Sequence, residues 1–384
     1  MAHSRRIFLK TGAASVAIVA AGGAGWALTR TATSAREPWR DAANGFGDPR
    51  LDALAYAILA PNPHNMQPWL ARLENDGSLS IFCDLNRRLP ATDPLDRQIT
   101  IGFGCFLELL RQAAAGSGLR ADITPFPEGE PIPRLDDRPI ATVTLKPDDT
   151  VASDPLFSSV LERRTCRLPF DTGRQVTTDV LSAVIDASVA GVTAARTADA
   201  AKVGRLRKLA VDAWVLEWAT PVVRRESIVV TRIGKSEINA DPDGLYLEGP
   251  LMEGLGALGI LTREQMDDPE SRAYFESESF YSEACETAMA FAWTTTDTNR
   301  RRDQIEAGRA WVRMQMVANA MGLAFHPLSQ ALQEYAEMAN LYRQVHEELG
   351  ATNGQVVQML TRLGYAPGVQ EAPRWPLESR LLPG

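Results

Sequence analysis

Residues 60–69 read Ala60-Pro61-Asn62-Pro63-His64-Asn65-Met66-Gln67-Pro68-Trp69, directly after Leu51, Leu54, Ala55, Ile58 and Leu59 at helical spacing. Three prolines, two asparagines and a glutamine stop that helix at once. Proline fixes φ and lacks a backbone donor, and asparagine tolerates turn geometry. The stretch therefore reads as a rigid loop rich in donors and acceptors, suited to holding a planar, hydrogen-bonding ligand. The bland alternative is a helix exit followed by a strand, and the rest of the chain has to decide between them.

Beyond the loop, residues 69–74 and 79–84 flank Asn75-Asp76-Gly77 and read as a hairpin. After a polar link at 86–98, Phe103, Phe106, Leu107, Leu110 and Ala114 form one stripe of a strong helix, stopped by Gly116 and Gly118. Strands are predicted near 121–124 and 140–145, and the polar composition of 146–153 marks a domain boundary. The second half opens with a helix carrying Leu156, Phe157, Val160 and Leu161, then amphipathic helices near 178–189 and 198–219. Residues 221–279 mix Gly, Pro, Asp and scattered apolar side chains and read as a long irregular lid or binding loop. A strand at 288–295, a helix at 307–321 closed by Gly322 and a strand at 323–328 follow, with 355–365 before a Pro-rich tail. Both halves run helix, special loop, strands, Gly-stopped helix, strand, and Gly118-Leu119 corresponds to Gly322-Leu323. An α+β fold with two copies of one module is expected.

At 384 residues, 45% hydrophobic and 23% charged, the chain has ample core for two domains. Its net charge of −8 argues against a nucleic-acid partner, which calls for a basic face. Cys83, Cys105, Cys166 and Cys285 are far apart, and His3, His64, His326 and His346 lack ligand spacing, so neither a disulfide framework nor a metal site is expected.

The N-terminus reads Ser4-Arg5-Arg6-Ile7-Phe8-Leu9-Lys10, then an uncharged Ala/Gly-rich run over 11–29 and small residues near 32–35. This is the form of a twin-arginine signal. The run is long enough to span a bilayer, and a plain N-terminal anchor is the alternative, although Gly12, Gly22, Gly23 and Gly25 weaken it. The expectation is export through the twin-arginine translocon to a periplasmic or membrane-anchored location, with residues 1–36 outside the fold. That route carries folded proteins and so points to a bound cofactor.

Arg163-Arg164-Thr165-Cys166-Arg167 sets three guanidinium groups and a hydroxyl within five residues. Guanidinium forks match phosphate oxygens bidentately. The bland reading is a solvated basic helix end. Together with the Pro/Asn loop, however, the run resembles the nitroreductase superfamily. Residues 61–69 are similar to its P-S-x-x-N-x-Q-P-W loop, which lies against FMN. Residues 163–167 are similar to its R-R-S-x-R motif, which holds the FMN phosphate and ribityl chain, with Thr165 in place of Ser. Pro327-Leu328-Ser329-Gln330 resembles the P-[ILV]-x-G segment beside the flavin N5, with Gln330 where Gly is usual. Leu363-Gly364-Tyr365 through Arg374-Trp375-Pro376-Leu377 resembles the family's C-terminal ending. The likeness covers about residues 38–381 and looks like the Acg-like branch of FMN-binding oxidoreductases.

In that superfamily one subunit of a dimer gives the arginine helix and its partner gives the loop. Here the second half carries the arginines and the first half the loop, whereas Asp48-Pro49-Arg50-Leu51-Asp52 does not match the arginine motif. The resemblance thus implies a monomer imitating the dimer. Its modules would be 37–150 and 151–384, with 221–279 as a lid insertion. It implies one FMN site built from Arg163, Arg164, Thr165, Arg167, Pro61, Asn62, Pro63, His64, Asn65, Gln67, Leu328, Ser329, Gln330 and Arg374. The implied activity is hydride transfer through FMN from NAD(P)H or another reductant to a nitro-, quinone- or similar acceptor, with no protein nucleophile. The alternative is a flavin-sequestering protein with little turnover. Cys166 fills a variable position and reads as structural. His64 reads equally as a proton donor or flavin neighbour and as a hydrogen-bonded loop residue; Arg87, Arg88 and Arg97 either line the vacant first-half site or, the better reading, form a solvated face.

Overall fold

The computed structural model describes residues 29–352 and 354–383, so most of residues 1–36, where a twin-arginine signal is expected, lies outside the described residues. The chain enters through α1 (Glu37–Asn44) and α2 (Pro49–Ala57), the second capped by Asp48, whose side chain accepts from the Arg50 N–H at 2.8 Å. Then come β1 (Trp69–Leu73), β2 (Leu79–Cys83), the 20-residue α3 (Arg97–Gly116), β3 (Leu119–Pro125) and β4 (Ala141–Pro147). The second half holds α4 (Thr178–Asp186), β5 (Thr193–Thr197), α5 (Ala200–Ala219), α6 (Pro221–Val229), β6 (Thr231–Ile233), α7 (Gly234–Ala240) and β7 (Leu245–Leu247). It continues with α8 (Pro250–Ala257), α9 (Arg263–Asp267), α10 (Arg272–Glu286), β8 (Ala290–Thr296), the 20-residue α11 (Arg301–Ala320), β9 (Ala324–Pro327), α12 (Ala339–Leu349) and β10 (Val356–Gly364).

Two four-stranded antiparallel sheets result, ordered β1-β2-β4-β3 and β5-β8-β10-β9. Each has the order first, second, fourth, third, with one long helix between its second and third strands. The fold is α+β, and the shared strand order shows the two halves to be copies of one module. The long helices α3 and α11 cross at Gly104 and Gly308. A Cβ on Gly104 would lie 2.1 Å from the Ile305 carbonyl oxygen, and one on Gly308 would lie 2.0 Å from that of Ile101. Only glycine allows backbones this close. At the flank of the crossing, fully buried Glu108 accepts from Arg111, Arg309 and Arg313, tying the two central helices together. Burial alone would raise the Glu108 carboxyl, but these guanidinium groups hold it down to about 2.

Four expectations need correction. Residues 221–279 are not an irregular loop: they form short helices and a two-stranded parallel sheet, inserted between β5 and β8. Pro221 and Pro250 sit in the first turns of α6 and α8, so residues read as loop-formers are helix starts. The helix expected around Leu156–Leu161 is a single 3-10 turn, Pro155–Ser159. The tail leaves the second module and returns to the first, where Leu381 bridges Ala71 in parallel and the Leu382 N–H donates to the Ala71 carbonyl at 2.8 Å. Finally, residues 32–36 belong to the fold: Ala32 is buried, its N–H donates to Glu248 at 2.6 Å, and Arg36 pairs with the same carboxylate at 2.6 Å.

Candidate functional site

The Pro/Asn loop leaves α2 through the 3-10 turn Pro63–Asn65, and three non-glycine residues in it have left-handed backbones: His64 (φ 47°), Asn65 (56°) and Gln67 (50°). Such positions cost about 1–3 kcal/mol each and persist only where the surroundings over-determine them. Here Asn62 Oδ1 accepts from the Gln67 N–H at 2.7 Å. Asn65 Nδ2 donates to the Pro373 carbonyl at 3.1 Å, and Gln67 Nε2 donates to that of Pro242 at 2.8 Å. Gln67 Oε1 accepts from the Trp375 N–H at 2.9 Å. Asn62 therefore braces the loop from within, while Asn65 and Gln67 hold it between insertion and tail, with their polar atoms already engaged inside the protein. Pro61 and Pro63 are half-buried beside them.

Under the loop lie two guanidinium groups that pair with no carboxylate among the described residues. Arg163 donates to the Leu59 carbonyl at 2.7 Å and to Gln315 Oε1 at 3.1 Å. Arg374 donates to the same Leu59 carbonyl at 2.9 Å, to Ala60 O at 3.0 Å and to Asn65 Oδ1. Each is 2% exposed, and among the described residues the Nε of each has no partner. Burial depresses both, Arg163 to about 10 and Arg374 to about 9, the second further by the Arg163 charge. Arg164 adds a third guanidinium, paired with Glu371, and all three stand over the Trp39 ring at 5.1–5.7 Å. Gln315 and Asn319 of α11 fix the motif by bonding Thr165 Oγ1 (3.0 Å) and the Arg164 N–H (2.8 Å). Among the described residues none accepts a hydrogen bond from Arg167, which is half-buried and lies 5.7 Å from the Tyr246 ring.

Arg167 faces two imidazoles. His64 Nε2 lies 2.8 Å from Ser227 Oγ, and burial followed by the Arg167 charge lowers His64 to about 4. His326 Nδ1 accepts from Arg362 Nε at 2.8 Å, which leaves its proton on Nε2. Burial, Arg362 and Arg167 push His326 well below the usual imidazole range, so both rings are neutral at pH 7. His326 packs edge-on against Tyr281 at 5.5 Å, and the Tyr281 hydroxyl lies 3.1 Å from Gln330 Nε2. Leu328 is buried with its N–H donated to the Leu360 carbonyl at 2.8 Å, so that backbone donor is not free for a ring; Ser329 is half-buried at the start of the turn Gln330–Leu332. The Cys166 thiol is raised by burial and offers no thiolate at neutral pH.

The structure therefore brings the loop, the arginine motif, the Pro327–Gln330 segment and Arg374 around one place between the modules. Trp39, Ser227, Tyr246, Tyr281, His326 and Arg362 belong there too and escaped sequence reading. His326 adjoins the quoted Pro327, and Arg362 is a charge inside an apolar strand; both were available signals. A cavity of about 640 Å³, lined by Arg30, Lys235, Glu237, Glu253 and Arg263 among others, belongs instead to the helical insertion.

Next to Gln330, buried Glu217 accepts from Gln333 Nε2 at 2.7 Å, and burial raises its carboxyl to about 7. Its neutral form stabilises the fold fully below pH 4.5, and that contribution, about 3 kcal/mol, is lost as pH rises through 7. Glu217→Gln is expected to flatten the fall in denaturation midpoint between pH 5 and 8. Asp93, raised to about 6 by burial, keeps its own smaller share of that fall. An unchanged pH profile in the variant would remove Glu217 from this role.

No family model matches the chain. An uncharacterized protein of Mycobacterium tuberculosis is 36% identical over 126 residues, 32% of this chain and 35% of that protein. The "Putative NAD(P)H nitroreductase acg" of the same species is 34% identical over 120 residues, 31% of this chain and 34% of that one. The chain thus spans about a third of the length of these curated relatives. A second "Putative NAD(P)H nitroreductase" of that species is 27% identical over 323 residues, 82% of this chain and 84% of the other. Among solved structures, the FMN-dependent nitroreductase NfnB of Mycobacterium smegmatis in complex with NADPH aligns with TM-score 0.35 and 19% identity, over 57% of this chain and 92% of that one. A nitroreductase with bound FMN from Bacteroides fragilis aligns with TM-score 0.33 and 12% identity, over 56% and 90%. The architecture is carried by the strand order above rather than by scores of this size.

Proposed function

We propose that the protein is an FMN-dependent oxidoreductase of the nitroreductase type, moving hydride from NAD(P)H or another reductant to a nitro-, quinone- or similar electron-poor acceptor. The observation that carries the reading is the buried positive charge of Arg163 and Arg374. Unpaired buried cations are costly, and among the described residues these have orphaned Nε donors and no carboxylate. A dianionic phosphate is the group such a site fits. Arg163, Arg164, Thr165 and Arg374 would hold the phosphate and its chain, and Arg167, His64 and the loop at Pro61–Gln67 would border the ring. FMN, when bound, supplies the two-electron chemistry, and the protein supplies position and electrostatics. His326 offers a neutral Nε2–H donor whose tautomer Arg362 fixes. Because one chain carries both halves of the site, no partner subunit is required. The insertion is bonded to the loop through Gly244 N–H to Asn65 O (3.2 Å). The reductase names of the relatives support turnover rather than flavin storage. Export through the twin-arginine translocon belongs to the same reading and rests on Ser4–Lys10.

An absorbance scan of the purified protein over the flavin bands, followed by anaerobic NADPH, tests this. A flavin spectrum that bleaches is expected. A spectrum that NADPH leaves unchanged overturns the donor assignment, and failure of FMN to copurify or bind overturns the site.

A further inference from the structure

A quinone or nitro group that takes up a hydride also takes up a proton, and the candidate site has few protons to release at pH 7. Guanidinium groups keep theirs. Burial leaves His64 and His326 neutral and pushes the Tyr281 hydroxyl and the Cys166 thiol up, so none of these gives a proton away readily.

Glu217 is different. It lies near the end of α5 and is 3% exposed. Among the described residues its carboxyl pairs with no cation, and its one hydrogen-bond donor is the neutral Gln333 amide at 2.7 Å. The titratable groups around it are Glu226 of α6, Tyr281 and Cys285 of α10, and Tyr335, none of them cationic. A carboxyl buried in such company keeps its proton to near neutrality, about 7 here, where an acid is best matched to proton transfer.

Neighbouring groups connect it to the site. Gln333 directly follows the turn Gln330–Leu332, and Gln330 Nε2 donates to the Tyr281 hydroxyl at 3.1 Å. Tyr281 meets both ends: its ring packs edge-on against His326 at 5.5 Å, and the Glu217 charge reaches its hydroxyl. A hydroxyl accepts on one side and donates on the other. Gln333 Oε1 is buried next to the acid with no partner among the described residues, and a water is the ordinary partner of such an acceptor.

We propose that Glu217 stores the proton that joins the acceptor alongside the hydride, and that Tyr281 passes it on. The hydride brings two electrons and one proton to a quinone. The second proton leaves the Glu217 carboxyl, crosses the Tyr281 hydroxyl and ends on a quinone oxygen, giving the hydroquinone. Glu217 is left as a carboxylate and is reprotonated from solvent. A nitro group reduced to nitroso and water takes the same hydride and the same single proton. The proposal rests on the oxidoreductase reading and adds a residue to it.

The test mixes anaerobically reduced holoprotein with menadione, a quinone, or with ferricyanide, which takes electrons and no proton. For the wild type the ratio of the menadione rate to the ferricyanide rate is expected to fall as pH rises through about 7. A ratio that stays flat between pH 5 and 9 overturns the proposal without any variant. Glu217→Gln keeps the size of the side chain and a partner for Gln333. It should slow menadione reduction on the order of 100-fold at pH 6, leave ferricyanide reduction unchanged and abolish the pH dependence. Equal slowing with both acceptors, or no slowing, overturns the proposal. Infrared spectra of the flavin-free protein give a readout without turnover: a carboxyl band present in the wild type and missing from Glu217→Gln should fade between pH 5 and 8. Absence of that band at pH 5 also overturns the proposal. Failure to bind FMN would sink the oxidoreductase reading instead, and the infrared titration would still report on Glu217.

Discussion

Gly104→Ala is expected to destabilise the protein by about 3 kcal/mol or more, because the new methyl would meet backbone on the opposite helix and no side chain can move aside. The Ile305 carbonyl oxygen would stand 2.1 Å from it and the Gly308 Cα 2.9 Å. Relief requires α3 and α11 to separate, and α11 carries Gln315 and Asn319, which hold the arginine motif. The variant should therefore lose cofactor affinity as well as stability, although Gly104 touches no candidate site residue but packs against the other central helix. Gly204→Ala is the control. Gly204 lies inside α5 with nothing within 4 Å of the new methyl, so the same substitution should stabilise by up to about 1 kcal/mol. The double variant Gly104→Ala/Gly308→Ala should cost less than the sum of its parts, since the first methyl already opens the crossing for the second. Denaturation midpoints of five proteins, the wild type, Gly104→Ala, Gly308→Ala, their double variant and Gly204→Ala, measure all of this. Equal midpoints for Gly104→Ala and Gly204→Ala would mean that the crossing is looser than described.

Arg374→Met should weaken FMN binding by about 2–3 kcal/mol, on the order of 30- to 150-fold, through loss of a charge-assisted contact. Methionine keeps much of the buried stem and removes the fork. The carbonyls of Leu59 and Ala60 and Asn65 Oδ1 then lose donors, which loosens the strained loop as well. Riboflavin, which lacks the phosphate, separates the two effects. If its affinity falls as far as that of FMN, the damage lies in the loop and Arg374 is not a phosphate ligand. Arg374→Lys should recover little, because a single ammonium cannot serve Leu59, Ala60 and Asn65 together in that geometry.

What could be read in the sequence was what local chemistry fixes. Proline and asparagine announce the loop at residues 60–69, the apolar stripes of residues 103–114 and 311–321 announce the central helices, and the arginine run is contiguous. The repeat was visible only as an order of elements, and the matching strand order gives it physical form. The remainder depends on long-range partners. Gly and Pro between 221 and 279 break several short helices from one another, and in a linear reading that is indistinguishable from a loop. Thr193-Ala194-Ala195-Arg196-Thr197 becomes a strand because β8 lies beside it, with little apolar signal of its own. Trp39 sits in a polar lead-in, yet it supplies the ring under three guanidinium groups. The partners of Asn65 and Gln67 escaped for a similar reason: their amides bond the tail and the insertion, which are distant in sequence.

The central claim is that buried, unneutralised guanidinium groups between the two modules read a phosphate. Titrating flavin-free protein with FMN and with riboflavin, following flavin fluorescence, tests it most directly. Two charge-assisted contacts at about 1.5–3 kcal/mol each predict that FMN binds at least 100-fold more tightly. Equal affinities, or binding of neither flavin, would contradict the account.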